Sequence, residues 1–351
     1  MNFQARPPPG GTARPEAPPN TPPPSAQRTP NARAAGQRRP AGSRWKWLLA
    51  LGILVLAGFL IYRIVSKYTF EQIVTATAVF PLDRLIMAGC FAAASYICLT
   101  GFDWLALHYA GRPLPYRKAA LASFTSLSLG HNFGFAALSS GAVRYRFYSR
   151  WGLSAEQVAK VIIFCGVTVG LGLILLGGIA LLYSPQQAHR VTGLEPLTLS
   201  GIGAICLVLA IFYLLLAATV RRPLTIGKWR FAMPPLRLAV AQVIIGPINF
   251  IFVAACLHQA LAGVADVDFA NVLTVYVIAN VASLISHVPG GLGVIETVVT
   301  LFIPDATLIG AFVVFRFVYF LVPLALGAGL FAVAELAFGR TTAPTTVSEN
   351  Q

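Results

Sequence analysis

The 351-residue chain is 56% hydrophobic and only 11% charged, against roughly 25% charged residues in soluble globular domains, which excludes an ordinary water-soluble enzyme fold and points to lipid as the solvent. Its formal net charge of +14 does not mark a nucleic-acid surface, because the basic residues lie between apolar segments and in the N-terminal arm and not on a folded soluble domain. Apolar stretches of about 20 residues match a helix crossing a ~30 Å hydrocarbon layer, so the expected fold is all-α, a polytopic membrane helix bundle, and not a barrel of short strands.

Residues 1–43, rich in Pro, Gly, Ala and Arg, have too little to bury to offset the entropy of ordering and read as a disordered cytoplasmic arm. Arg38-Arg39 precede an apolar run from Trp45 to Ile64, but that run is longer than a signal-peptide core, and the small-residue site Ala76-Thr77-Ala78 lies well beyond its end. An uncleaved first span is expected. The transmembrane domain is placed at 44–340 and a short tail at 341–351, with further apolar segments at about 83–109, 119–140, 157–183, 199–220, 237–261, 269–303 and 307–338.

Charge orients these segments. The arm, Arg112/Arg117/Lys118, Arg144/Arg146/Arg150/Lys160 and Arg221/Arg222/Lys228/Arg230/Arg237 form basic clusters, whereas the loops near 184–198 and 262–268 carry few positive residues. The positive-inside rule puts the clusters, and both termini, on the cytoplasmic side. Segment 119–140 then has cytoplasmic flanks at both ends and is expected to be a re-entrant hairpin, which suits its Ser, Gly and Asn content. Segment 269–303, broken by Pro289-Gly290-Gly291-Leu292-Gly293, is expected to enter as a second hairpin from the opposite face. A shift of 150 residues brings Leu107-His108 onto Leu257-His258 and Ser140-Gly141 onto Gly290-Gly291, and two inverted repeats with interrupted segments at corresponding places point to a transport site near the midplane.

The stretches SLSLGHNFGFAALSSGAVRYRFY at 126–148 and HVPGGLGVIE at 287–296 resemble signatures of the membrane domain of bacterial lysylphosphatidylglycerol synthases and of the stand-alone YbhN-like membrane proteins, over roughly 45–338. The resemblance implies a lipid-handling membrane domain. Synthase-branch members add a soluble aminoacyl-transferase domain, for which the chain ending at Gln351 leaves no room, so lipid aminoacylation is not expected.

Candidate substrate-binding residues are Asn132, Ser139, Ser140, Arg144, Arg146, Gly290, Gly291, Gly293, Glu296 and Arg316. Arg144 and Arg146 follow Ser139-Ser140-Gly141, where the first hairpin returns to the interface, and a guanidinium holds phosphate through two parallel hydrogen bonds; the alternative is a pair of topology anchors snorkelling to headgroups. The glycines precede a new helix start whose exposed N–H groups suit an anion. Glu296 and Arg316 fall inside the apolar zone, where unpaired charge costs at least ~2.5 kcal/mol, so each needs a partner: each other, or, for Arg316, a lipid phosphate. Glu296 in a first helical turn also suits the helix dipole. Asp103 is a weaker candidate near a span end, His131, Asn132, Ser139 and Ser140 can line a cavity or satisfy freed backbone, and Gly166, Gly170 and Gly172 read as a helix-packing face.

The five cysteines, Cys90, Cys98, Cys165, Cys206 and Cys256, all lie in apolar segments, and neither they nor the histidines form a metal-ligand pattern. No cofactor and no ATP-binding loop is expected. The leading expectation is a lipid transporter or flippase moving an anionic phospholipid or lipid-linked intermediate in a bacterial inner membrane. The alternatives are a membrane-embedded transferase on a lipid-linked substrate and a non-catalytic partner of a lipid-pathway enzyme.

Overall fold

The structure, a computed structural model, describes residues 80–131, 136–220, 224–226, 229–286, 291, 293–302 and 308–340, all within the unit Leu48–Gln351. The N-terminal arm, the expected first span from Trp45 to Ile64 and the C-terminal tail lie outside the described residues.

In chain order the helices are α1 (Leu82–Tyr109), α2 (Tyr116–Gly130), α3 (Ala136–Arg150), α4 (Ala155–Tyr183), α5 (Pro185–Thr192), α6 (Pro196–Thr219), α7 (Leu236–Leu261), α8 (Phe269–Ser286), α9 (Val294–Phe302), α10 (Leu308–Arg316) and α11 (Val322–Arg340). A π-helical turn, Phe317–Leu321, joins α10 to α11 without a break in the rod. Between α6 and α7 a short antiparallel pair, β1 (Leu224–Ile226) and β2 (Trp229–Phe231), aligns Leu224 with Phe231 and Ile226 with Trp229.

Local chemistry sets several boundaries. Ser154 and Gln157 form a reciprocal capping box that starts α4 just after Gly152, whose φ of +86° turns the chain. Proline at the first position begins both α5 and α6.

Six helices among the described residues are long and apolar enough to cross a membrane: α1, α4, α6, α7, α8 and the α10–α11 rod. The protein is therefore a multi-pass membrane helix bundle. At 18 residues, about 27 Å, α8 is itself of near-spanning length, whereas α2 and α3, at 15 residues each, reach only about 22 Å.

α1 packs along α7, α4 lies against both α6 and α7, and α2 folds back on α3. With lipid outside as apolar as the core, such contacts depend on close approach of small residues. A Cβ built on Gly246 of α7 would stand 2.6 Å from the Thr168 carbonyl oxygen of α4, and one on Gly172 2.7 Å from the Gly246 carbonyl carbon, so the two backbones touch there. Of the three glycines expected to form one packing face, only Gly172 does so; a Cβ on Gly166 or Gly170 would meet nothing within 4 Å. α6 is peripheral and turns Ile205, Val208, Ile211, Phe212 and Leu215 outward, as a lipid-facing helix does.

Candidate functional site

Among the described residues, three clusters of opposite charge lie inside the bundle. In the first, Asp103 of α1 is fully buried and accepts a bidentate pair from Arg144 of α3, at 2.9 Å from Nε and 2.8 Å from the terminal nitrogen. Tyr148 donates to the same carboxylate at 2.7 Å and Ser123 of α2 at 2.6 Å, while Arg144 also donates to Ser140 at 3.1 Å. The ring of donors satisfies a charge that lipid would otherwise penalise by several kcal/mol, roughly, and ties α1, α2 and α3 together. Gly130 makes room for it: a Cβ there would approach the Ser140 Cβ to 2.7 Å.

The second cluster joins α3 to the last helix. Arg146 makes a bidentate pair with Glu335 of α11, at 2.8 and 2.6 Å, and Arg150 adds a third bond to the same carboxylate at 2.7 Å. Arg146 is 9% exposed and Glu335 4%. Both arginines singled out from the sequence therefore lie within a helix that runs past the expected hairpin end at 140 to Arg150, and both are held by carboxylates of the chain.

The third cluster sits at the second break. Gly293 accepts the first helical bond of α9 through its carbonyl, from the Thr297 N–H at 2.9 Å, and Glu296, three residues on, reaches back to the Gly293 N–H at 2.9 Å. The same carboxylate receives Arg316 of α10 at 2.9 and 3.1 Å, and Arg316 also donates to the Gly291 carbonyl at 3.0 Å. Glu296 thus combines both possibilities the sequence left open, a first-turn position and a pairing with Arg316. The guanidinium lies over the Phe320 ring, 4.7 Å from its centroid, within the π-helical turn. Gly291 and Gly293 have φ of +59° and +87°, the left-handed region. The arginine is 3% exposed, but the Glu296 side chain is 18% exposed and borders an open cleft of about 230 Å³ lined by Thr297, Thr300, Ile309 and Phe312.

Among the remaining expected site residues, Ser139 is half-buried on α3 and His131 caps the end of α2, 6.2 Å ring to ring from Tyr96. Asn132 and Gly290 lie outside the described residues. Sequence reasoning treated Asp103 as secondary and did not single out Glu335. The usable signal for Glu335 was the one that flagged Glu296, an acid isolated in an apolar span. A further buried network, Ser95 to Asn249 at 2.7 Å and to Tyr319 at 3.0 Å, was also missed, because neutral polar residues carry no such signal.

Fold and site together define a multi-pass membrane protein whose interior holds arginine–carboxylate clusters beside interrupted helices. The sequence model of the lysylphosphatidylglycerol synthase TM region matches residues 47–327, and the chain belongs to that family. It is 35% identical to an uncharacterized Synechocystis protein, slr0712, over 68% of this chain and 76% of that one. It is 27% identical to the inner membrane protein YbhN of Escherichia coli, over 82% of this chain and 91% of that one. Similarity extends to a phosphatidylglycerol lysyltransferase of Staphylococcus haemolyticus, 21% identical over 80% of this chain but only 33% of the larger protein.

Proposed function

We propose that the protein moves an anionic phospholipid or lipid-linked intermediate between the leaflets of a bacterial inner membrane, with both termini cytoplasmic. The observation that carries this reading is the third cluster: a buried guanidinium beside a broken helix, next to a cleft open enough for a headgroup. The family, and the name of the phosphatidylglycerol lysyltransferase relative, favour a lipid in that role. Of the other candidate residues, Arg144 and Arg146 on α3 are taken up by Asp103 and Glu335 and serve the framework of the bundle.

The order and spacing of the elements support the reading. α1, the α2–α3 pair and α4 have counterparts of similar order in α7, the α8–α9 pair and the α10–α11 rod, with starts displaced by 154, 153 and 153 residues (Leu82 to Leu236, Tyr116 to Phe269, Ala155 to Leu308). In this proposal the two interrupted pairs are re-entrant hairpins entering from opposite faces, and α3 and α9, the second arms, each carry one partner of a buried ion pair. Broken helices facing one another across an inverted repeat are the arrangement by which transporters hold a charged group at the midplane. In a deletion strain the leaflet distribution of anionic lipids should shift relative to the parent without loss of any lipid species. Disappearance of one covalently modified lipid would instead indicate a transferase.

A further inference from the structure

The Asp103–Arg144 and Glu296–Arg316 pairs share their bidentate form but differ in how they are enclosed. Asp103 is sealed, with donors from α2 and α3 around both oxygens, and no side-chain surface exposed. Glu296 is held by Arg316 and by one backbone N–H, and its side chain reaches the cleft. It rides on α9, nine residues long, entered through two positive-φ glycines. Arg316 by contrast is fixed from several sides: α10 carries it, the Gly291 carbonyl accepts from it, and the Phe320 ring underlies it. Arg316 is thus held by more neighbours than Glu296, whose carboxylate sits on a short helix of its own.

A carboxylate and a phosphate ester present the same two acceptor oxygens to a guanidinium fork. We propose that Glu296 is an internal anion occupying a phosphate seat on Arg316, and that the phosphate group of an anionic lipid entering the cleft displaces it. This rests on the lipid-transport reading above. Thr297 lines the cleft with a hydroxyl that can donate to a headgroup, Thr300 lines it with a hydroxyl that donates back to the Glu296 carbonyl at 2.9 Å, and Ile309 and Phe312 supply its apolar wall. At about 230 Å³ the space is below the roughly 300–1,000 Å³ of sites that enclose a drug-sized molecule, so it admits a headgroup and leaves the acyl chains in the bilayer. The exchange keeps Arg316 paired in both states, which removes the cost of exposing a bare buried charge at the moment of transfer. With the carboxylate in place the seat is closed to weak anions, and only a ligand that also fills the cleft competes.

The test is a binding titration of purified protein in neutral detergent, followed by thermal unfolding. The probes are short-chain phosphatidylglycerol, short-chain phosphatidylcholine and inorganic phosphate. Glu296→Gln removes the competing charge while its amide oxygen can still accept from the Gly293 N–H. The variant should melt lower than wild type without lipid, bind phosphatidylglycerol roughly tenfold or more tightly than wild type does, and gain the larger thermal shift from it. Adding Arg316→Leu to Glu296→Gln should abolish that gain. If Glu296→Gln fails to fold, Glu296→Asp, whose carboxylate is one methylene too short for the same bidentate reach, should show the same direction of change. Equal affinity in wild type and variant, or a gain that survives Arg316→Leu, overturns the proposal. Tighter binding of inorganic phosphate than of phosphatidylglycerol assigns the seat to free phosphate and overturns the lipid assignment. Because the titration reads binding alone, absence of lipid movement in a transport assay counts against the transporter reading and not against this exchange.

Discussion

Breaking the Asp103–Arg144 pair should be among the most damaging single changes available in the bundle. Asp103→Leu removes the carboxylate that takes two bonds from Arg144 and one each from Tyr148 and Ser123, and leaves the guanidinium 3% exposed with Ser140. Removing one partner of a buried ion pair costs about 3–5 kcal/mol, because the surviving charge stays buried and uncompensated. Replacing both partners by apolar groups avoids that charge, although the Tyr148 and Ser123 hydroxyls still lose an acceptor at about 1–3 kcal/mol each. Asp103→Leu/Arg144→Met should therefore be more stable than Asp103→Leu alone, with a coupling energy of about 2–3 kcal/mol, the upper part of the usual range for contacting residues. Reversible unfolding in mixed micelles by SDS titration, run as a double-mutant cycle, measures it. Strictly additive effects, or a single-substitution cost below about 1 kcal/mol, would refute the structural role assigned to the pair.

Three further outcomes follow from particular contacts. Gly291→Val should lose folding or function, since φ is +59° and the new Cβ would meet the Ser283 hydroxyl at 2.5 Å; a variant with wild-type melting temperature would misplace the break. Gly246→Val should destabilise the bundle by at least about 1–3 kcal/mol by forcing α7 away from α4, measured by the same SDS titration, whereas Gly170→Val, with open space around its Cβ, should cost less than about 1 kcal/mol. Cysteines introduced at Ser149, Gln186 and Asp266 in a background lacking the native cysteines should label from the cytoplasmic side at Ser149 and from the external side at the other two; external labelling at Ser149 removes the hairpin reading of α2–α3.

Much of the architecture was legible because a membrane imposes length and hydropathy on each span. The boundaries expected for α1, α4, α6 and α7 agree with the helices to within a few residues. Pro and Gly at 289–293 fall between the end of α8 at Ser286 and the start of α9 at Val294, whereas Ser139-Ser140-Gly141, expected where the first hairpin returns, lies inside α3, which runs on to Arg150. The suspicion attached to Glu296 and Arg316 came from one cost, that of charge in lipid, and the two do meet across 20 residues. That argument names residues in need of partners without naming the partners. Asp103 and Arg144 are 41 apart in sequence and Arg146 and Glu335 189 apart, so their pairing follows from how α1, α3 and α11 pack, which periodicity does not encode. The π-helical turn after Arg316 was likewise invisible, since Phe317–Leu321 is as apolar as its neighbours.

The central claim, movement of lipid between leaflets, is tested most directly with purified protein in liposomes. A labelled anionic phospholipid is incorporated symmetrically, and the outer-leaflet label is then quenched by an impermeant reductant. Protein-containing vesicles should lose label beyond the outer-leaflet half as inner-leaflet lipid becomes accessible, and Arg316→Leu at matched insertion should not. Quenching that stops at half with wild-type protein, for anionic and zwitterionic lipids alike and with an imposed ion gradient, would contradict the account.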